Sequence, residues 1–250
     1  MFEHDKPLAY PAVETGPTEA VGPGTALDVA RHPVLAGVAG ATIEQLLAHV
    51  HVRHWRRGRT ISAPYARPAV HLVLDGCIWM YALTTEGRRL ILDRLSPGDV
   101  DGLMGLAGID GHFSQAAEDS DVASIALTVV RRLAMGEPTF AANLFCIAVR
   151  RLQRRQDQLK RLTVRDPNQR IADQMLALAR SDEGAGRSPE RGWWAPRISH
   201  EALADMLALR RETVTLHLIR MQQLGALRAD GRRYLLDLAR LQTMRAGASG

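Results

Sequence analysis

The sequence predicts an α+β chain in three parts: a roll of short antiparallel strands, a long helix, and a C-terminal winged helix-turn-helix. Three observations carry that prediction. Between about residues 50 and 130, short apolar runs are divided by glycine turns at roughly 8–12-residue spacing. From Glu137 to Leu162 the apolar residues recur three, four or seven apart. From His200 to Leu227, "HEALADMLALRRETVTLHLIRMQQLGAL" holds two helical apolar patterns with almost nothing between them.

Composition sets the bounds. The chain has 250 residues, 46% hydrophobic and 24% charged, with a net charge of +5 and a pI near 9.7. A basic balance fits a polyanionic partner. Cys77 and Cys146 are the two cysteines and form no CxxC pair. They supply neither a disulfide framework nor a zinc or iron–sulfur site, and suit the reducing cytosol. No apolar run approaches the roughly 20 residues that span a bilayer. The N-terminus has no basic n-region and no h-region, so it is not expected to be a secretory signal.

Residues 1–30 hold five acids and one base among prolines and glycines, and read as a flexible tail. A β-domain is expected over 31–136. Within it, "HLVLDGCIWMYAL" is a β-rich run broken at Asp75-Gly76, and "TTEGRRLILDRL" turns at Glu86-Gly87 into another strand. "SPGDVDGLMGLAG" is a glycine-rich turn before a short helical piece, and "DSDVASIAL" is one more strand. Together they suggest an antiparallel barrel or jelly roll.

The long helix is expected over 137–164. Phe145, Ala148, Leu152, Leu159 and Leu162 make a seam that Arg155 interrupts. Such a seam packs either against the chain's own barrel or, as preferred here, against a second subunit. Residues 149–165 hold seven bases and one acid; the plainer and preferred reading is a solvated helix face, and the sharper one is that its far end lies near DNA. Asp166-Pro167 ends the helix and opens the next, "NQRIADQMLALAR". The polar loop "SDEGAGRSPERGWWAPR" follows, with Trp193 and Trp194 as packing anchors.

Ser199 then serves as an N-cap. Ala202, Leu203, Met206 and Leu207 give the first short helix its apolar face. The second begins near Arg210 and buries Val214, Leu218 and Met221, which turns residues 211, 212, 215 and 216 to solvent. Arginines and a glutamate at an exposed helix start suit DNA. Arginine forks onto guanine, glutamate accepts from cytosine N4, and threonine binds phosphate. Beyond it, "GALRADGRRYLLDL" reads as a hairpin turning at Asp-Gly, a wing carrying Arg232 and Arg233. The DNA module is expected over 165–241, with a tail over 242–250.

These motifs resemble the Crp/Fnr family of bacterial transcription regulators. The resemblance covers about residues 32–241. It rests on "LVLDGCIWMYALTTEGRRLILDRLSPGDVDG", "DPNQRIADQMLALA" and "SHEALADMLALRRETVTLHLIRMQQLGAL". It implies a cyclic-nucleotide-binding-type β-roll, a dimerisation helix and a winged helix-turn-helix. It further implies a cytoplasmic, non-enzymatic homodimer on a palindromic operator, with RNA polymerase as partner if the protein activates. Base contacts fall to Arg211 and Glu212, and phosphate contacts to Ser199, His200, Arg210 and Thr213. Thr215, Leu216 and the wing arginines share that surface, and Leu216 stands where relatives reading a TGTGA-type half-site carry arginine.

The effector pocket departs from the pattern. Leu103, after Gly102, stands where cyclic-AMP binders need a ribose-binding glutamate, and Asp110-Gly111 stand in place of the phosphate-binding Arg-Ser pair. An acid there repels an anion, so an effector other than cyclic AMP, or none, is expected. Gly98, Gly102, Gly105 and Gly108 could present backbone amides to an anion, without the Gly-Lys-Ser/Thr of a P-loop. Two cysteines cannot supply the four thiolates of an iron–sulfur cluster. Haem has two candidate ligands, His71 and Cys77, whose plainer reading is a strand histidine and a packed thiol. A sensor domain that binds nothing and serves as scaffold is a further reading. From another class, His49 and His51 in "HVHVRH" share a strand face as in a cupin-type metal enzyme, but "WRRGRT" lacks the glutamate such a site needs.

Overall fold

A computed structural model describes residues 19–20, 25–64, 68–109, 112–164, 166–181 and 193–245. The chain divides into two compact units, 1–153 and 154–250.

In the first unit, β1 (Glu19–Ala20), α1 (Thr25–Ala30) and α2 (Gly40–Leu47) precede eight further strands. These are β2 (Val50–Trp55), β3 (Thr60–Ser62), β4 (Ala69–Asp75), β5 (Ile78–Leu83), β6 (Arg89–Leu95), β7 (Val100–Asp101), β8 (Phe113–Ala116) and β9 (Ser120–Ala126). They form two antiparallel sheets, ordered β1-β2-β9-β4-β7 and β3-β8-β5-β6. The expected roll is therefore present. α3 (Leu127–Gly136) and α4 (Pro138–Leu162) follow.

Strand alternation sorts the side chains into two cores. Val73 and Val122 point between the sheets with Trp55, Ile78, Leu95 and Ala116. Val70, Leu72, Ala123 and Ile125 point the other way, onto Val29, Leu46, Val130, Phe140, Leu144 and Ile147 of the helices. Successive strand residues face opposite sides, so one strand serves both cores. The β4–β5 turn needs Gly76: its φ is +80°, and a Cβ there would lie 2.4 Å from the Asp119 carbonyl oxygen.

Two expectations change here. The tail does not reach residue 30, because Thr25–Ala30 is helical and Val29 is fully buried; residues 1–18 and 21–24 lie outside the described residues. The outward stripe of α4 is Phe145, Val149, Leu152 and Leu159, exposed by 69%, 46%, 58% and 63%. Ala148 is exposed as expected, Val149 joins it on the outward face, and Leu162 is half-buried. Burial of Phe140, Leu144 and Ile147 on the inner face fixes which residues look out.

In the second unit, α5 (Pro167–Ser181), β10 (Trp193–Pro196), α6 (His200–Leu207), α7 (Arg211–Gln223), β11 (Leu227–Asp230), β12 (Arg233–Leu236) and α8 (Leu238–Arg245) complete the chain. β10, β12 and β11 form an antiparallel sheet in that order. Trp193 and Trp194, expected in a loop, open β10 opposite Leu236 and Leu235. The core joins Ile171 and Met175 of α5 to Leu203, Leu207, Val214, Leu218, Met221, Leu227 and Leu236.

Candidate nucleic-acid interface and roll interior

The two short helices meet as a tight pair. Ser199 caps α6, its Oγ accepting from the Ala202 N–H at 3.1 Å. Ala208 closes α6 in the left-handed conformation with φ 51°. Arg210 is the extended N-cap of α7. Val214, Leu218 and Met221 are buried beneath α7, while Arg211, Glu212 and Leu216 are exposed and Thr213 and Thr215 half-buried. One exposed helix face thus carries a forked cation, an acceptor and an apolar side chain in succession.

His200 and Thr215 join the two helices, Nδ1 to Oγ1 at 2.8 Å. Both were expected to face DNA independently; the structure makes them partners. Burial, then the charges of Arg211 and Arg197, lower the His200 pKa. Ser199, Arg210, Arg232 and Arg233 are exposed. Gly231, with φ +55°, makes the tight wing turn that presents the last two. His217 is half-buried on α7, and its buried Nδ1 has no hydrogen-bond partner among the described residues.

The roll interior is polar at one end. Asp101 on β7 is buried and accepts a hydrogen bond from the Ser114 hydroxyl. His112 Nε2 lies 3.1 Å from its other oxygen. His71, opposite both Asp101 and Ser124 in register, places Nδ1 2.9 Å from Ser124 Oγ. Burial alone would raise the Asp101 carboxyl. The His112 bond and charge, the His71 charge and Ser114 outweigh it and hold the group well below the usual carboxylate range. His71 is pushed down, chiefly by burial.

Leu103 does not enter this cluster: it packs with Leu106 against the helix-side core. Asp110 and Gly111 lie outside the described residues. The amides of Gly98, Gly105 and Gly108 are already engaged. Gly98 N–H donates to Val73 O at 3.0 Å, Gly105 to Gly102 O at 3.1 Å, and Gly108 to Gly105 O at 3.0 Å. Gly102, with φ +79°, is held to glycine because a Cβ would lie 2.2 Å from the Ala69 carbonyl. Burial pushes the Cys77 thiol up to about 12, which disfavours the thiolate that ligates haem iron. His49 lies in the turn before β2, not on the strand face shared with His51. Among the described residues no three His, Cys, Asp or Glu side chains form a metal-binding group.

Sequence reasoning missed one buried ion pair. Arg151, expected on a solvated face, turns inward from α4. Its Nε lies 3.1 Å from Asp93 of β6, and its Nη1 donates to Val100 O of β7. The signal was non-local, with the two partners 58 residues apart in the chain.

Comparison with known proteins bears on this architecture. Residues 169–244 match the Crp-like helix-turn-helix domain model. A CRP-family transcriptional regulator of Thermus thermophilus, of known structure, superposes with a TM-score of 0.63 at 26% identity, over 78% of this chain and 96% of that one. The chain is similar to the Crp/Fnr family of DNA-binding transcriptional regulators. Two Crp/Fnr relatives show the range. The cAMP-activated global transcriptional regulator CRP of Pasteurella multocida is 27% identical over 69% of this chain and 83% of its own length. The nitrogen fixation regulation protein FixK of Bradyrhizobium diazoefficiens is 27% identical over 77% of this chain and 81% of its own. Among the described residues no helix is long and apolar enough to cross a membrane.

Proposed function

We propose that the protein binds a palindromic operator as a homodimer, with α7 in the major groove and no dependence on cyclic AMP. Residues 31–136 serve as the sensor domain, 137–164 as the dimerisation helix and 165–241 as the DNA module. The single observation that carries the reading is the exposed face of α7, where Arg211, Glu212 and Leu216 stand over a helix packed by Val214, Leu218 and Met221.

Arg211 and Glu212 read base edges. Thr213, Thr215, Ser199, His200, Arg210, Arg232 and Arg233 hold phosphates on either side. The second copy seats on the outward stripe of α4. Phe145, Leu152 and Leu159 fall seven apart, with Val149 between the first two, which is the a/d spacing of a two-helix seam. The family relationship and the cysteine content support a cytoplasmic protein without enzymatic activity, and RNA polymerase is the partner if it activates.

Sedimentation and operator binding test the reading. A dimer whose affinity falls steeply with salt is expected, because phosphate contacts release counterions. A monomer that binds single half-sites without salt dependence would overturn it.

A further inference from the structure

Arg197 has no role in the assignments above. It lies in the short connection from β10 to α6, ahead of the N-cap Ser199. Three contacts pin it to the wing. Its backbone N–H donates to Arg232 O at 2.8 Å, its Nη1 donates to Gly231 O at 3.3 Å, and its guanidinium carbon lies 5.8 Å from the ring centre of Tyr234. Tyr234 is buried, so the platform beneath the guanidinium is fixed. The Gly231 carbonyl takes one of the five donors a guanidinium carries, and the side chain is exposed.

His200 stands on the other side of Ser199. Its Nδ1 lies 2.8 Å from Thr215 Oγ1, one turn beyond Arg211 on α7, and Arg197 precedes it by three residues in the connection, so the charges of both arginines act on it. Like charges gathered on one surface repel, and an anion among them removes the repulsion. Burial and the two guanidinium groups keep the imidazole neutral more readily than in water. An approaching phosphate reverses the electrostatic part of that bias.

We infer that Arg197 and His200 form one phosphate site at the junction of wing and helix-turn-helix, beside the base-reading Arg211, and that a proton enters at His200 as a DNA phosphate arrives. This rests on the DNA-binding reading above and adds Arg197 to it. The wing turn positions Arg197, and Arg197 in turn ties the wing to the start of α6. Because the bound form holds more protons, operator affinity rises as pH falls.

The experiment is anisotropy titration of the full-length protein with its selected operator duplex, across pH 6 to 8 and a salt series, with circular dichroism as the folding control. Wild type is expected to weaken about tenfold from pH 6 to pH 8, the range in which imidazole titrates. His200→Gln flattens that profile. Arg197→Gln can still donate to the Gly231 carbonyl but loses its charge. It is expected to weaken binding about fivefold or more and to lower the salt slope by about one per protomer. Arg197→Lys keeps most of the affinity. Wild-type affinity and salt slope in Arg197→Gln, or a pH profile unchanged by His200→Gln, overturns the inference while leaving the DNA-binding reading standing. If wild type binds no duplex at any pH or salt, the DNA-binding reading fails and this one with it.

Discussion

His112 Nε2 lies 3.1 Å from Asp101 Oδ1 inside the roll, beside the Gly102 turn that opens the effector segment. A buried carboxylate held in its charged form is a poor neighbour for a phosphate. Leu103 packs into the helix-side core and offers no ribose acceptor. A ligand shifts a conformational balance only through differential affinity. Cyclic AMP is therefore expected to leave operator affinity unchanged and to give no heat at micromolar concentration. Calorimetric binding in that range together with tighter operator binding contradicts this.

Acid should unfold the roll through three groups. Burial lowers His32 from 6.5 to about 4, and also lowers His71. A folded pKa below the unfolded value means the unfolded chain takes up the proton first. Stability is then full above about pH 6.5 and falls as pH drops toward 4, by about 3 kcal/mol from His32 alone. The depressed Asp101 adds a second loss below the unfolded carboxylate range. Urea midpoints between pH 7 and pH 4 check this. Midpoints that hold constant, or a His32→Gln variant as acid-sensitive as wild type, count against it.

Ala208 holds φ 51° at the turn between α6 and α7, and its side chain is exposed. A non-glycine residue pays about 1–2 kcal/mol for that conformation. Ala208→Gly, with no packing to lose, is expected to raise stability by about 1 kcal/mol in thermal unfolding. Destabilisation would mean the turn is not strained.

Leu216 is 66% exposed and follows Glu212 by one turn on the same face of α7. Leucine can pack on a thymine methyl but cannot hydrogen-bond guanine. Leu216→Arg is expected to shift preference toward guanine at one operator position by about tenfold, the discrimination of a good bidentate contact. Arg211→Ala should relax the neighbouring position and weaken specific binding throughout. If wild type selects a TGTGA half-site as stringently as an arginine-bearing relative, Leu216 does not face the bases.

Local patterns made much of this fold legible. Glycine turns and alternating strands announced the roll, and the paired apolar runs with Ser199 and Asp230-Gly231 announced the helix-turn-helix and wing. What the sequence hid depends on partners far along the chain. Arg151 looked solvated because nothing near it shows that Asp93 awaits on β6. The cluster of His71, Asp101, His112, Ser114 and Ser124 gathers from four strands and the approach to β8, and no spacing rule links them. Trp193 and Trp194 looked like loop residues because their pairing strand lies beyond two helices. Arg197 passed unnoticed for the same reason, since its contacts are to the wing. Along α4, Val149 joined the exposed Ala148 and Leu162 became half-buried, a fact of packing rather than of period.

Selection of duplexes from a random pool by the wild-type protein tests the central claim most directly. A dimer reading DNA through α7 should enrich an inverted repeat whose half-site centres lie about one helical turn, roughly 34 Å, apart, with a strongly fixed G·C pair facing Arg211 and Glu212. Enrichment of single, unpaired half-sites, or of no common sequence at all, would contradict the account.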